Sequence, residues 1–209
     1  MKTTLNAIRA HRPCADGWEK LLRHLGKTTA DEEPLRIATI VQSNGLADAL
    51  WCLRAVKGHE REIRLYAVWC ARQVQHLMMD PRSVHALDVA ERFARGEASA
   101  DEWTLAKKAA KAAENAANND AYKADCRAGG LRDHQFAYVI AMASHAAYMA
   151  VADSNPGSPG FAAAMSSLTA LSHAASPADK VPTMAKAVAD QRDELLRLCA
   201  EIDAREDAQ

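Results

Sequence analysis

The sequence predicts an all-α fold, either a multi-helix bundle or a short solenoid-like stack of helical hairpins, with no sheet. Helix boundaries recur along the chain as acidic or serine N-caps, prolines at helix starts and glycines at helix ends. Between them, apolar residues recur at spacings of three and four, which is typical of a helix with one buried face. No segment alternates apolar and polar residues as a half-buried strand does.

The first part of the chain is predicted to form short helices that end at glycines. Asp16 offers an acidic N-cap with Glu19 three positions on, and Gly26 ends that helix. Pro34 is expected to open the next helix, because proline is tolerated at the first helical position, and Gly45 ends it. Two short helices are therefore predicted before residue 46.

The middle of the chain is predicted to hold a short helix followed by two longer ones, over residues 46–56, about 59–79 and 80–95. The segments 49–56 and 67–74 share five of eight residues. Related helix faces at that spacing favour hairpins stacked as in an α-solenoid. Chance similarity in an Ala-rich sequence is the alternative.

The second half is rich in alanine, the residue with the highest helix propensity. Ser99 and Glu102 form a capping box that opens a helix running to about residue 128. The helix predicted over residues 131–153 carries the most apolar face of the chain. Two further helices are predicted over residues 160–175 and 177–204.

One segment has the composition of a loop and predicts a domain boundary. Residues 154–160 contain two prolines and two glycines, which break regular structure. We therefore predict a helical domain over residues 1–153. A C-terminal helical pair over residues 161–209 is expected to pack on it.

The composition is that of a globular protein without a strong charge preference. Hydrophobic residues make up 49% and charged residues 25%, and the formal net charge is −1. Non-specific nucleic-acid binding depends on neutralising phosphates, so direct binding of nucleic acid is not expected. The longest apolar stretch, residues 136–152, is shorter than the ~20 residues of a membrane span. We expect a cytoplasmic protein with no membrane partner.

The cysteines predict free thiols in a reducing compartment. There are five of them, Cys14, Cys52, Cys70, Cys126 and Cys199, and no two are close in sequence. An odd number of scattered cysteines does not suit a disulfide framework, whereas cysteines in apolar helices behave as small buried hydrophobes.

No cofactor or metal is expected from the sequence. His76, His85 and Asp88, or Cys70 with His76, are the candidate ligands. Structural zinc sites use four ligands that usually include close pairs such as Cys-x-x-Cys, and no such pair is present.

No catalytic motif is present either. Cys52 and Cys70 follow tryptophans inside helices, where a thiol is usually an inert core residue. Ser144 and His145 lie in the most apolar helix, which favours a core or interface histidine over a catalytic base. The sequence predicts a non-enzyme, with an active site assembled from scattered residues as the alternative.

Tryptophans are the candidate anchors for a partner, because interface hot spots favour them. Trp51 and Trp69 lie in apolar sequence and are expected in the core. Trp18 and Trp103 lie at helix starts among charges and are expected to be exposed or at an interface. With the charges that would tune an encounter, the predicted partner-binding residues are Trp18, Glu19, Lys20, Trp103, Lys107 and Lys108. Lys107, Lys108 and Lys111 also lie on one side of a helix, either as a solvated face or as phosphate contacts.

A resemblance to a known family rests on an ordered series of segments: WEKLL at 18–22, LGKT at 25–28, SNGL at 43–46, DALWCLRAV at 48–56 and REIRL at 61–65. Together with the Ala-rich helix they resemble a helical family common in phages and prophages, whose members are usually labelled immunity proteins. The resemblance covers about residues 5–128. The chain departs from relatives built on long Ala-Trp-Asp-like repeats, since only Trp103 falls in its Ala-rich helix.

The resemblance implies a phage-encoded, non-enzymatic inhibitor that acts in the host bacterial cytosol. Such a protein would block a bacterial defence complex by stoichiometric binding, in the manner of an anti-CRISPR protein. An immunity protein that neutralises a toxin is the alternative. A nucleic-acid-associated helical protein is a further alternative.

Self-association is also expected. The helix that contains residues 136–152 is apolar on all sides, and small residues in the Ala-rich helix permit close helix contacts. A homodimer formed through one of these helices, or through both, would bury surface that a monomer exposes.

Overall fold

The computed structural model describes residues 1–126, 131–152, 157–176 and 178–208, although the side chains of residues 125, 131–136 and 157–159 are not described. The predicted all-α class is confirmed. Within those ranges the chain forms ten α-helices: α1 Leu5–Ala10, α2 Ala15–Leu25, α3 Ile37–Asn44, α4 Leu46–Cys52, α5 Glu60–Arg72, α6 Pro81–Arg95, α7 Ala100–Cys126, α8 Leu131–Val151, α9 Gly157–Ala174 and α10 Lys180–Asp207.

The prediction that the fold contains no sheet is wrong at one place. Strand β1, Lys2–Thr3, pairs antiparallel with strand β2, Leu35–Arg36. Pro34 therefore does not open a helix, and α3 begins only at Ile37, whose N–H donates to the carbonyl of Met1 at 3.1 Å. The strand pair buries Met1 and Leu35, so long-range packing overrides the local helix signal.

Most predicted helix boundaries are confirmed by their capping groups. Gly26 and Gly96 end α2 and α6 in the left-handed conformation that glycine adopts without strain. At the start of α7 the Glu102 N–H donates to Ser99 Oγ at 3.1 Å and the Ser99 N–H donates to Glu102 Oε2 at 2.9 Å. These two bonds form the predicted capping box.

Several helix boundaries differ from the prediction, among them the end of α4, which lies at Cys52 and not at residue 56. Helix α5 ends at Arg72, and a 3₁₀ turn over Gln75–Leu77 follows, which keeps Val74 and Met78 buried. Helix α9 begins at Gly157, inside the predicted loop, and the remainder of that loop lies outside the described residues. A Cβ on Gly160 would lie 3.3 Å from Ile63 Cγ2, so a residue without a side chain lets α9 approach α5 closely.

The first core cluster joins the N-terminal helices to the last one. It contains large side chains from α1–α5, from α10 and from the 3₁₀ turn after α4, among them Leu5, Ile8, Leu21, Ile37, Ile40, Leu50, Leu53, Tyr66, Leu195 and Ile202. The Tyr66 hydroxyl donates to the Gln191 carbonyl at 3.1 Å, which satisfies its one buried polar group. Asp203 on α10 accepts from the Met1 amino group and lies 3.4 Å from Arg36 Nη1.

The second core cluster is built mostly from alanines on α5–α9, among them Ala71, Ala90, Ala110, Ala143, Ala146, Ala147, Ala163 and Ala170. Helix α8 lies at its centre and packs against α5, α6, α7 and α9. Every described side chain between residues 137 and 152 is buried or half-buried. Helices of the same chain therefore cover much of α8, and the homodimer through α7, α8 or both stays a prediction.

Helix α9 joins the two regions. Ala164 belongs to the first core cluster, whereas Ala163 and Ala170 belong to the second. The division into a helical domain at residues 1–153 and a C-terminal helical pair at residues 161–209 stays a prediction. Over the described part of the chain, no helix combines the length and the apolar character that crossing a membrane requires.

Candidate functional site

A cleft of about 440 Å³ opens beside the first core cluster, between the turn that precedes α2, helices α2, α3 and α4, and the start of α9. Its aromatic wall consists of Trp18, Trp51 and Phe161. A volume of this size and an apolar lining with few polar groups are typical of a binding site. We call it the aromatic cleft.

Trp18 is placed by the amphipathic pattern of α2. Its backbone N–H donates to the Cys14 carbonyl at 3.0 Å, which forms the first turn of the helix. Leu21, three residues on, is buried in the first core cluster, and Trp18 lies half-buried at its edge. Glu19 and Lys20 point away and are exposed. Trp18 is therefore accessible from the cleft, as an anchor for a partner would need to be.

Trp51 was expected in the core but lines the cleft as a half-buried residue. On α4 it follows the fully buried Leu50, so its ring lies at the margin of the first core cluster. The Arg54 guanidinium lies 4.2 Å from the ring centroid, and Arg54 Nε donates to the Trp51 carbonyl at 2.8 Å. Arg54 does not line the cleft. Trp69 is also half-buried, so the expectation of two core tryptophans is wrong.

A single carboxylate lies among the residues that line the aromatic cleft. Asn44 Nδ2 donates to Asp48 Oδ2 and to the Gly17 carbonyl, both at 2.8 Å. A Cβ on Gly17 would lie 2.9 Å from Asp48 Oδ2, so glycine is needed where α2 approaches α4. Among the described residues, no Lys, Arg or His lies within ion-pair distance of Asp48. The carboxylate therefore enters the cleft with a neutral amide as its partner.

All five cysteines are unpaired in the structure. Burial raises the pKa of Cys52 to about 12, with the nearby Asp48 charge adding to the effect, and raises the pKa of Cys199 to about 11. Burial also raises the pKa of Cys70. These three thiols are protonated at neutral pH and are poor nucleophiles. Cys14 is exposed at the edge of the cleft.

The expected exposure of Trp103 is wrong. Its relative exposure is 4%, and it belongs to the second core cluster. Its ring stacks on Phe93 with 4.6 Å between centroids, and the Arg64 guanidinium lies 4.3 Å from its centroid. Trp18 and Trp103 therefore serve different regions of the molecule and do not form one pair of exposed anchors.

The predicted lysine face exists as an open groove of about 400 Å³ on α7, lined by Lys107, Lys108, Lys111 and Tyr148. Lys107 is half-buried and Lys108 is exposed. Lys111 Nζ lies 2.6 Å from Glu114 Oε2, which neutralises part of the positive charge. The groove is therefore less basic than the sequence suggests.

Glu114 is a buried polar residue that sequence reasoning missed. Its exposure is 4%, and its Oε1 lies 2.6 Å from His145 Nδ1 on α8. His145 thus belongs to a packed polar contact between α7 and α8, as a core or interface histidine would. The signal in the sequence is weak, because nothing marks Glu114 apart from the other charges of α7.

A larger groove of about 770 Å³ lies between α5, α6 and α10 and is lined by five arginines and four glutamates. Arg72 Nη2 lies 2.7 Å from Asp88 and 3.1 Å from Glu91, and Arg197 Nη2 lies 2.7 Å from Glu194. Its charges largely pair with one another on the surface, where such pairs contribute little. The aromatic cleft, whose Asp48 carboxylate has no cationic partner among the described residues, is the better candidate site.

Across the residues that the structure describes, no three or more His, Cys, Asp or Glu side chains are grouped so that they could hold a metal ion. The candidate ligand Asp88 accepts instead from Arg72 at 2.7 Å. His76 lies in the 3₁₀ turn and His85 on α6.

Comparison with known proteins found no matching family model, no matching curated protein and no matching solved structure. The resemblance to phage-encoded helical proteins stays a prediction.

Proposed function

We propose that this protein acts by stoichiometric, non-catalytic binding to a protein target, and that the aromatic cleft is its anchor point. The observation that carries the proposal is the pair of half-buried tryptophans, Trp18 and Trp51, that faces one opening of about 440 Å³. Binding hot spots are enriched in tryptophan and lie in pockets that exclude water. Both side chains lie on helices, which hold an anchor in a fixed position.

The target class follows from the resemblance. We propose a bacterial defence complex, blocked sterically by a phage-encoded inhibitor. A toxin neutralised by an immunity protein is the alternative partner. A toxin gene beside the coding sequence would favour the alternative, whereas a cluster of counter-defence genes would favour the inhibitor.

We also propose that the protein does not catalyse a reaction on its target. The thiols of Cys52, Cys70 and Cys199 are held in their protonated form by burial, which supports a structural role for them. The part-buried contact of His145 with Glu114 joins two packed helices.

The experiment captures the target from host lysate, identifies it by mass spectrometry and titrates it with purified protein. Inhibition should saturate near one protomer per target site and stay constant with time. Trp18→Ala should weaken binding by about 2 kcal/mol or more, roughly thirtyfold, because a hot-spot side chain is lost.

Trp69→Ala is the matched control, since Trp69 is also half-buried at the edge of the first core cluster but lies outside the cleft. It should bind as the unmodified protein does. Circular dichroism should show full helicity in both variants. Progressive inactivation of the target by a substoichiometric amount of protein would contradict the proposal, because it indicates an enzyme.

A second candidate function is nucleic-acid binding by the lysine groove on α7, favoured by the three lysines that line it. Such binding would weaken steeply with salt, and Lys107→Gln together with Lys108→Gln would reduce that salt dependence. A fluorescent oligonucleotide that shows no binding at 50 mM salt would remove this candidate.

A further inference from the structure

We propose that the aromatic cleft accepts an arginine side chain of the partner, with Asp48 as its counter-charge. The inference rests on the proposed function, because it names the group that the anchor point recognises. Three features of the cleft support it: a carboxylate without a cationic partner in the described part of the chain, indole rings at the wall, and a hydrogen bond that fixes the carboxylate in place.

A hydrogen bond within the protein fixes the position of the Asp48 carboxylate. Asp48 Oδ2 accepts the 2.8 Å hydrogen bond from Asn44, and Asn44 is in turn held by the Gly17 carbonyl. Asp48 Oδ1 accepts no hydrogen bond from any residue that the structure describes. A guanidinium group donates several N–H groups in a planar fork, so it would pair with this carboxylate without disturbing Asn44.

The indole rings suit the same group. Arg54 already stacks on Trp51 at 4.2 Å, so this ring binds a guanidinium within the molecule. Trp18 makes no contact with a cation among the described residues, and a guanidinium is attracted to the face of an indole. The aliphatic part of an arginine would lie against Leu21 and Phe161, which also line the cleft.

Other side chains fit the cleft less well. An apolar side chain would remove water from the Asp48 carboxylate without replacing its hydrogen bonds, which is costly. An acidic side chain would meet a like charge. Arg12 also lines the cleft, is exposed and does not pair with Asp48. Its positive charge opposes a cationic ligand, so its removal should strengthen binding.

The test uses the full chain, labelled with ¹⁵N, and follows the four tryptophan indole N–H signals during titration. The probes are the peptides Ac-Gly-Arg-Gly-NH₂, Ac-Gly-Nle-Gly-NH₂ and Ac-Gly-Glu-Gly-NH₂. The arginine peptide should shift the Trp18 and Trp51 signals and leave those of Trp69 and Trp103 in place. It should bind more tightly than either of the other peptides.

Asp48→Asn should weaken binding of the arginine peptide by about tenfold or more, because a charged hydrogen bond is lost. It should not weaken binding of the norleucine peptide, because a neutral amide costs less to desolvate than a carboxylate. Asp16→Asn is the matched control. It removes the same charge, from the first turn of α2, but Asp16 does not line the cleft. Arg12→Gly should increase the affinity for the arginine peptide severalfold. Glycine suits the positive φ of 57° at that position.

Two results would overturn the inference: a norleucine peptide that binds as tightly as the arginine peptide, or an Asp48→Asn protein that binds the arginine peptide without loss. In either case Trp18→Ala still tests whether the cleft binds the target. Conversely, Asp48-dependent peptide binding together with full target binding by Trp18→Ala would leave the arginine site standing and remove the proposed function.

Discussion

The first core cluster contains large aliphatic and aromatic side chains, whereas the second contains mostly alanines. The tryptophans of the two clusters differ in how deeply they are buried. In the first, Trp18 and Trp51 lie half-buried around an opening. In the second, Trp103 is enclosed between Phe93 and Arg64. Helices that contact each other through alanines approach closely and leave little space between them. Helices separated by large side chains leave a cleft wherever those side chains do not fill the space between the helices.

The largest expected effect compares the two kinds of tryptophan directly. Trp103→Ala should lower the free energy of unfolding by about 3–5 kcal/mol, because it leaves a cavity in the second core cluster. Trp18→Ala should cost no more than about 2 kcal/mol, because its side chain is already partly solvated. Urea denaturation measures both. Equal losses would mean that Trp18 is as much a core residue as Trp103.

A smaller effect tests how tightly the alanine region is packed. Ala143 is fully buried on α8, so Ala143→Leu should lower the free energy of unfolding by about 1–3 kcal/mol through overpacking. Ala116→Leu, at an exposed position of α7, is the control and should stay within about 0.5 kcal/mol of the original protein. A neutral Ala143→Leu, measured by urea denaturation, would reveal unfilled space in the second core cluster.

The smallest effect should be equal in both regions, because it depends on helix caps alone. Thr4 caps α1 and Asp80 caps α6, each accepting a backbone N–H. Thr4→Ala and Asp80→Ala should each lower the free energy of unfolding by about 1 kcal/mol at neutral pH.

The two caps should differ only in their response to pH. Arg82 lowers the pKa of Asp80, through its side chain first and its backbone N–H second. A carboxyl with a lowered folded-state pKa stabilises the fold above its unfolded-state pKa, and that stability is lost as the pH falls through the folded-state value. The cost of Asp80→Ala should therefore shrink in acid while that of Thr4→Ala stays constant. Parallel pH profiles of the two variants would contradict the assignment.

Features set by nearby residues could be predicted from the sequence. The capping box of Ser99 and Glu102 and the stop at Gly96 depend on residues within one turn of each other, and the structure contains both. The Asn44–Asp48 hydrogen bond also joins residues four apart on the chain. Such a pair could have been proposed from spacing alone.

Features set by long-range packing could not be predicted. Trp103 lies among charges in the sequence, but Phe93 and Arg64 from two other helices enclose it. Pro34 gives a helix-start signal, and pairing with residues at the beginning of the chain overrides it. The aromatic cleft likewise depends on bringing Trp18, Trp51 and Phe161 together from three helices.

The central proposal, that the aromatic cleft binds the target, is tested most directly by ¹⁹F NMR of the protein labelled with 5-fluorotryptophan. Its four tryptophans divide into two at the cleft, one half-buried elsewhere and one enclosed in the second core cluster. Addition of the captured target at equal concentration should shift the Trp18 and Trp51 signals and leave those of Trp69 and Trp103 unchanged. Target binding that shifts Trp69 or Trp103 while Trp18 and Trp51 stay in place would contradict the proposal.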